Sequence, residues 1–373
     1  MRKLARLCIV AAPLAFLAAC DQPQSVITAP SLAAATRSPS PSAPTRTVVA
    51  SGLLNPRGIA FSKEGDLYVA EAGTGAGGLS TAGQCQQDPN PSTSGNTGRI
   101  SRIVAGAPVP VVSGLPSSVS SIGSVFGIAN IAFVGPKLYG LLDAGCGHGV
   151  PNVPASVIAV DNGQYQVVAN LSAFRAANPP AHLGSDVEPD GDWYSMIAVG
   201  GVLYAVDANG GQLVSVKPNS GNIERVIDIS ASQGHIVPTA VAEHHGDFFV
   251  VNLQRFPAVA GASKLFQIKH NGKDMDVAAT GFTAALGVDF DSEGRAYVLN
   301  SFSCTPPRPC VPAPFAAGTG KVIRVNADGS LTTVVDGLTF ASSIRFGPDG
   351  ALYITNKGYN LAPGSGEILR VTF

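Results

Sequence analysis

The chain has 373 residues, with 24 Lys and Arg against 25 Asp and Glu, and charged residues make up only 13% of it. A near-neutral, charge-poor chain of this kind lacks the basic stripe by which proteins hold phosphate backbones, which argues against nucleic acid as a partner. The 43 glycines suit many short strands joined by tight turns better than helices, because glycine weakens a helix interior and supplies the positive φ of turns.

Residues 1–20, MRKLARLCIVAAPLAFLAAC, set Arg2, Lys3 and Arg6 ahead of a short apolar run. This is the pattern of an export signal, and the run is too short for a comfortable membrane span. Its close, Leu17-Ala18-Ala19-Cys20, resembles the lipobox of bacterial lipoproteins. That resemblance implies cleavage before Cys20 and lipid attachment to it, so the folded part is expected outside the cytoplasm, periplasmic or at the cell surface and anchored to a membrane. Residues 21–46 are rich in Pro, Ser and Ala and carry no apolar period; they predict a disordered tether, because they cannot bury enough surface to offset their ordering entropy.

From residue 47 onward one phrase recurs. Its central aromatic falls at Tyr68, Tyr139, Tyr204, Phe249, Tyr297 and Tyr353, in contexts such as GDLYVAE, GVLYAVD and GALYITN. A small-residue strand precedes most copies (RGIAFS, LGVDFD, SSIRFG), a third strand follows each (GRISRIV, GQLVSVK, GEILRVT), and a fourth usually comes next (PVPVVSGL, LTTVVDGL). Six units of four short strands predict an all-β fold, a six-bladed β-propeller over 47–373. The sixth unit stops after three strands, while an unattached fourth-type strand, RTVVASGL, precedes the first. Pairing the two ends closes the ring and leaves no sheet edge open.

The connections divide by face. Turns between strands 1 and 2, and between 3 and 4, are uniformly tight (SKEGD, DSEGR, NADGS), whereas the other two connection types hold every long insertion, including 72–97, 116–127, 144–154, 172–193, 253–262 and 301–319. Loops carry recognition, so the long-loop face is the expected ligand face. Strand 2 ends there in Glu71, Asp143, Asp207, Asn252, Asn300 and Asn356. Carboxylate and amide oxygens suit Ca²⁺, which makes Glu71, Asp207, Asn252 and Asn300 the candidate metal set; the same residues are also ordinary strand-end chemistry. Glu71 stands out because glutamate has no special turn role, and as a strand-end residue it is expected to be exposed.

Cys85, Cys146, Cys304 and Cys310 all fall in these loops, and their even number in an exported chain predicts disulfides, with Cys304–Cys310 closing one loop and Cys85–Cys146 tying two others. Zinc at Cys146 and His148 is the alternative, without a CxxC motif. His148, His182 and His235 share this face with GSDVEPDGDWYS, an acidic segment in which Asp186, Glu188, Asp190 and Asp192 accompany Trp193. This segment is either a cation site or a solvated loop, and His182, Trp193 and His235 join the candidate ligand-binding set. There is no GxSxG, HExxH or glycine-rich phosphate loop, and thus no visible nucleophile.

With its repeats aligned, the chain resembles the ScyD/ScyE family of exported NHL-type propellers. The resemblance is carried by VVASGLLNPRGIAFSKEGDLYVAEAG, HIVPTAVAEHHGDFFVVNL, ATGFTAALGVDFDSEGRAYVLN, GKVIRVNADGSLTTVVDGL and the closing SIRFGPDGALYITNKG, and it spans the folded part. One departure is PDGDWYSMI, where that family implies a phrase closer to Asn-Pro-Tyr-Gly. The resemblance implies the fold and leaves activity open. Three functions follow from the whole reading: a lipid-anchored, non-enzymatic binding or accessory protein presenting the long-loop face to a protein, peptide or glycan; a Ca²⁺-dependent hydrolase resembling six-bladed lactonases; and last a quinone-dependent sugar dehydrogenase, for which the sequence lacks an evident basic, histidine-lined cofactor pocket.

Overall fold

The computed structural model describes residues 44–75, 79–80, 92–121, 123–304, 310–311 and 316–373. The expected signal, Cys20 and nearly all of the tether lie outside them. Among the described residues the chain forms six antiparallel sheets around a common axis, a six-bladed β-propeller. Five sheets have four strands. The first extends its four with two short additions, Leu79–Ser80 and Val125–Phe126, paired to the long hairpin strands Ser92–Val104 and Ala107–Ser120.

Ring closure follows the expected route. Thr45–Leu53 pairs antiparallel with Gly366–Thr372, in a register that sets Thr45 opposite Thr372, Ala50 opposite Ile368 and Leu53 opposite Gly366. It thereby supplies the fourth strand of blade 6, whose others are Ser343–Phe346 and Leu352–Asn356. Pairing begins at Thr45, two residues before the sequence-based boundary. The Ser342 hydroxyl seals the same seam from inside by donating to the Pro56 carbonyl at 2.7 Å.

The recurrence of the aromatic phrase has a packing cause. Tyr68 meets Phe133 edge to face with centroids 5.0 Å apart, Phe249 meets Phe290 at 4.8 Å, Tyr297 meets Phe346 at 4.9 Å, and Tyr353 meets Phe61 at 4.9 Å. In each case the aromatic of strand 2 packs on the phenylalanine near the end of strand 1 in the next blade, and the last of these pairs crosses the seam. Edge-to-face pairs contribute about 0.5–1.5 kcal/mol beyond the area they bury, so at these four of the six copies the repeat is an interblade joint. The small-residue first strands line the axis. They enclose a channel of about 340 Å³ bordered by Gly58, Ala60, Ala132, Ala198, Ala240 and Gly287. A Cβ at Gly58 would stand 2.4 Å from Asn130 Cγ, which shows how closely adjacent first strands converge.

Cys304 and Cys310 form a disulfide, and Cys146 is also disulfide-bonded; Cys85, its expected partner, lies outside the described residues. Bonded cysteines fit an oxidising, extracytoplasmic compartment. They also remove Cys146 as a thiolate ligand for zinc.

Candidate functional site at the channel mouth

On the long-loop face the channel opens into a second cavity of about 210 Å³. Its wall is built from Val125, Phe126, Ile128, Leu253, Phe256 and Phe302, with Arg57, Tyr194, Tyr359, Asp143 and Asp192 among its polar lining. All six blades thus contribute to one apolar cup with a charged rim.

The strand-end ring is divided. Glu71 is fully buried rather than exposed, a correction to the expectation from its place at a strand end. Arg99 in the next strand reaches it with two nitrogens, each at 2.7 Å, the Ser101 hydroxyl donates at 2.6 Å, and the Leu54 amide donates at 2.8 Å. These donors occupy both carboxylate oxygens, so Glu71 is a structural ion pair. Asn252 accepts from the Lys264 amide at 2.7 Å, and Asn356 accepts from the Thr339 amide at 2.9 Å; both clamp loops in the manner of strand-end chemistry. Asn300 is buried, with its Oδ1 unpartnered. Asp207 lies 2.9 Å from Arg175 Nε and accepts from Gln212 and from the Gly210 amide. Burial pushes its carboxyl up, with Arg175 pulling the other way. Of the four residues expected to share a metal, Glu71, Asp207 and Asn252 are tied locally, and Asn300 keeps an unpartnered Oδ1.

A different group gathers at blades 2 and 3. Asp143 leaves the end of Lys137–Leu142, and the chain turns back through a short 3-10 turn, Cys146–His148. That return needs Gly145, at φ 113°, because a Cβ there would stand 2.2 Å from Asp190 Cγ. Asp190 in turn accepts from the Cys146 amide at 2.9 Å, and its carbonyl accepts from the Trp193 indole at 2.9 Å. The turn carries His148 into the interior. Its side chain is 1% exposed, with Nδ1 3.0 Å from Asp143 Oδ1 and Nε2 3.0 Å from Glu188 Oε2. Phe126 stacks on the ring at 4.3 Å and faces the cavity with its other side.

Asp192 completes the group: one ligand atom each from Asp143, His148 and Asp192 lie within 4.8 Å of one another. The acidic segment is held by buried polar groups behind it. Arg175, on the helix Leu171–Ala177, donates to Asn209 Oδ1 at 3.0 Å, and the same oxygen accepts from the Glu188 amide at 3.0 Å. Asp207 Oδ1 accepts from the Asp192 amide at 3.2 Å, and Asp143 Oδ1 accepts from the Trp193 amide at 3.1 Å.

The electrostatics follow from crowding. Burial alone would push the His148 imidazole down, but Asp143 and Glu188 outweigh it and hold the ring well above its ordinary range. Desolvation pushes Asp143 up, partly offset by His148. Asp192 is pushed well up, first by desolvation and then by the charges of Asp143 and Glu188. Three carboxylates therefore share one imidazole. Burial also drives the Tyr194 phenol up to about 12, so it is a hydrogen-bond donor at neutral pH, used on the Ser342 carbonyl at 3.2 Å.

Of the residues expected from sequence, the structure brings Asp143 to this site, with Trp193 buried directly beneath it. His182 is exposed, and its backbone amide donates to the Ser230 hydroxyl. His235 lies 3.3 Å from Asp186. Neither histidine borders the cavity. Sequence reasoning leaves Arg57 and Phe126 out of the site, gives Glu188 and Asp192 only within an acidic segment that could hold a cation, and gives His148 only as part of a zinc alternative. The available signal is the pairing of His148 with the acidic segment on one face.

No family model and no curated protein matches this chain. Among solved structures it is similar to an oxidoreductase described as a glucose dehydrogenase, from Thermus thermophilus, at 14% identity and TM-score 0.54, covering 88% of this chain and 100% of the other. It is also similar to a gluconolactonase from Xanthomonas campestris, at 11% identity and TM-score 0.52, covering 88% of this chain and 89% of the other. At these identities the likeness is one of fold.

Proposed function

We propose that the chain is an exported, lipid-anchored binding propeller of ScyD/ScyE type, which captures a peptide side chain or small molecule at its channel mouth. The observation that carries this reading is the 210 Å³ cup. Concave, mostly apolar sites with a few convergent polar groups are where small ligands bind. The volume accepts one ring-sized group. Phe126, Phe256 and Phe302 favour an aromatic or aliphatic body, and Asp143 with Asp192 favours a cationic or hydrogen-bond-donating end. A hydrolytic role through the expected set of Glu71, Asp207, Asn252 and Asn300 requires an ion at Glu71, whose carboxylate oxygens are already taken by Arg99, Ser101 and Leu54.

Trp193, the one tryptophan of the chain, donates its amide to Asp143 and makes an intrinsic reporter. A panel of aromatic amines and short cationic peptides is titrated while Trp193 emission is followed. Phe256→Ala, at a residue 44% exposed, is expected to weaken any responding ligand about tenfold, the loss of ~1.4 kcal/mol of contact, with the melting temperature unchanged. A panel with no responding member, or a response equal in the variant, refutes capture in this cup.

A further inference from the structure

His148 lies deep enough that its ring nitrogens should both be satisfied, because buried polar atoms almost always are. Nε2 meets Glu188 Oε2 at 3.0 Å. Nδ1 is different: it makes an ion-pair contact with Asp143 Oδ1 at 3.0 Å, yet no directed hydrogen bond satisfies it. An atom so placed, aimed at a carboxylate and beside a second one, has the position of a ligand.

We propose that Asp143, His148 and Asp192 form a divalent metal site, with Glu188 as the carboxylate that positions the histidine. Bonds of about 2.0–2.2 Å to one ion place neighbouring donor atoms about 3 Å apart when they meet near right angles, which is the spacing of Nδ1 and Oδ1. Glu188 on Nε2 reproduces the carboxylate–histidine–metal relay, in which the outer acid fixes the tautomer and leaves the other nitrogen's lone pair for the ion.

Charge points the same way. Glu71 and Asp207, buried on this face, have Arg99 and Arg175 as counter-ions, whereas among the described residues Asp143 and Glu188 have only the His148 imidazole as an ion-pair partner, with Asp192 beside them. A bound dication supplies the missing charge. The mixed nitrogen and oxygen donors select a transition ion of the Zn²⁺ or Mn²⁺ kind over Ca²⁺, which takes six to eight oxygens. Asp143 and Asp192 both border the cup, so the coordination positions left open by three protein ligands face whatever the cup holds. Phe126 covers one face of the imidazole without obstructing its in-plane nitrogens.

This site shares Asp143 and Asp192 with the cup, so a cationic ligand end and the ion are alternatives there; the ion is tested alone, and its failure leaves capture by the cup to the Trp193 titration. The full chain, purified in detergent and stripped with chelator, is titrated calorimetrically with Zn²⁺, Mn²⁺ and Ca²⁺. The expected result is one equivalent of Zn²⁺ or Mn²⁺, with Ca²⁺ at least tenfold weaker. Glu188→Gln is expected to weaken binding 10- to 100-fold, and Asp192→Asn, at a partly exposed position that the core does not need, by at least as much. Co²⁺ loaded into the parent provides a second readout, since its visible absorption reports nitrogen in the shell and should change in His148→Gln. Absence of binding to the parent, tighter binding of Ca²⁺, or equal binding in Asp192→Asn overturns the proposal.

Discussion

The two faces of the ring treat their carboxylates in opposite ways. On the tight-turn face, Asp291 accepts from the Glu293 and Arg295 amides, the Arg295 guanidinium and the Tyr297 hydroxyl. Burial raises its pKa somewhat, but the hydrogen bonds from Arg295 outweigh this and hold it below its ordinary value. Asp349 is lowered in the same way by Arg370 against its own burial, Asp247 mainly by Lys269, and Asp328 by Ser330. On the long-loop face, Asp143, Asp192 and Asp207 are all raised, with desolvation the largest cause in each. Acids in tight turns find donors within the turn or at the end of the strand beside it, as Asp291 does from Arg295 and Asp247 from Lys269, so ionisation stabilises the turn. Acids at the mouth are packed among one another by distant loops, and their ionisation is sustained only by partners brought from elsewhere. The first arrangement maintains a fold; the second holds unbalanced charge where a ligand can meet it.

The largest test concerns the matched acid on the long-loop face. Arg99→Met is expected to cost about 3–5 kcal/mol, because it strands a buried Glu71 carboxylate without its cation. Chemical denaturation measures this, and a cost under 1 kcal/mol would show that Glu71 belongs with the unbalanced group after all. Next in size, Asp291→Ala on the opposite face should cost about 1–2 kcal/mol at pH 7 through its lost hydrogen bonds. Since the folded pKa of Asp291 lies below its ordinary 3.8, the stability it contributes is present above that pH and disappears as pH falls through the folded value. The denaturation gap between parent and variant should therefore narrow from pH 7 to pH 3; a constant gap removes the electrostatic account. The smallest effect has the reverse sign. Asp192→Asn in chelator at pH 7 should stabilise by about 0.5 kcal/mol, a surface-sized change, by removing one charge held against Asp143 and Glu188. A lowered melting temperature would mean that the cluster is balanced without an ion.

The fold was legible because its information is local and repeated. The aromatic phrase, the small residues before it and the displaced RTVVASGL strand each state a packing rule within a few residues. Glu71 shows where such reading stops. Its partner Arg99 is 28 residues onward, and only the pairing of Leu67–Glu71 with Ser92–Val104, which sets Glu71 opposite Arg99, brings the two together. Asp143 was visible as a strand end. Its companions His148, Glu188 and Asp192 come from two loops that meet through tertiary contacts, the chain separation between His148 and Glu188 being 40 residues. Arg57 and Phe126 carry no motif, and they matter because of which strand mouth they border.

The seam between Thr45–Leu53 and Gly366–Thr372 also sets an order of events. Thr47 and Arg370 are 323 residues apart, so the contact that completes the ring is nearly the most distant that the chain can make, and such contacts form slowly. Blades 1 to 5 each contain their own four strands and can assemble as synthesis proceeds. Blade 6 cannot, and the strand that will finish it is among the first of the described residues to be made. Through the whole of translation Thr45–Leu53 waits with an open edge beside Arg46 and the proline- and serine-rich run before it. Proline and charge are the residues by which unpaired edges avoid joining the wrong partner, so this low-complexity stretch is expected to guard the strand from aggregation until Gly366–Thr372 arrives.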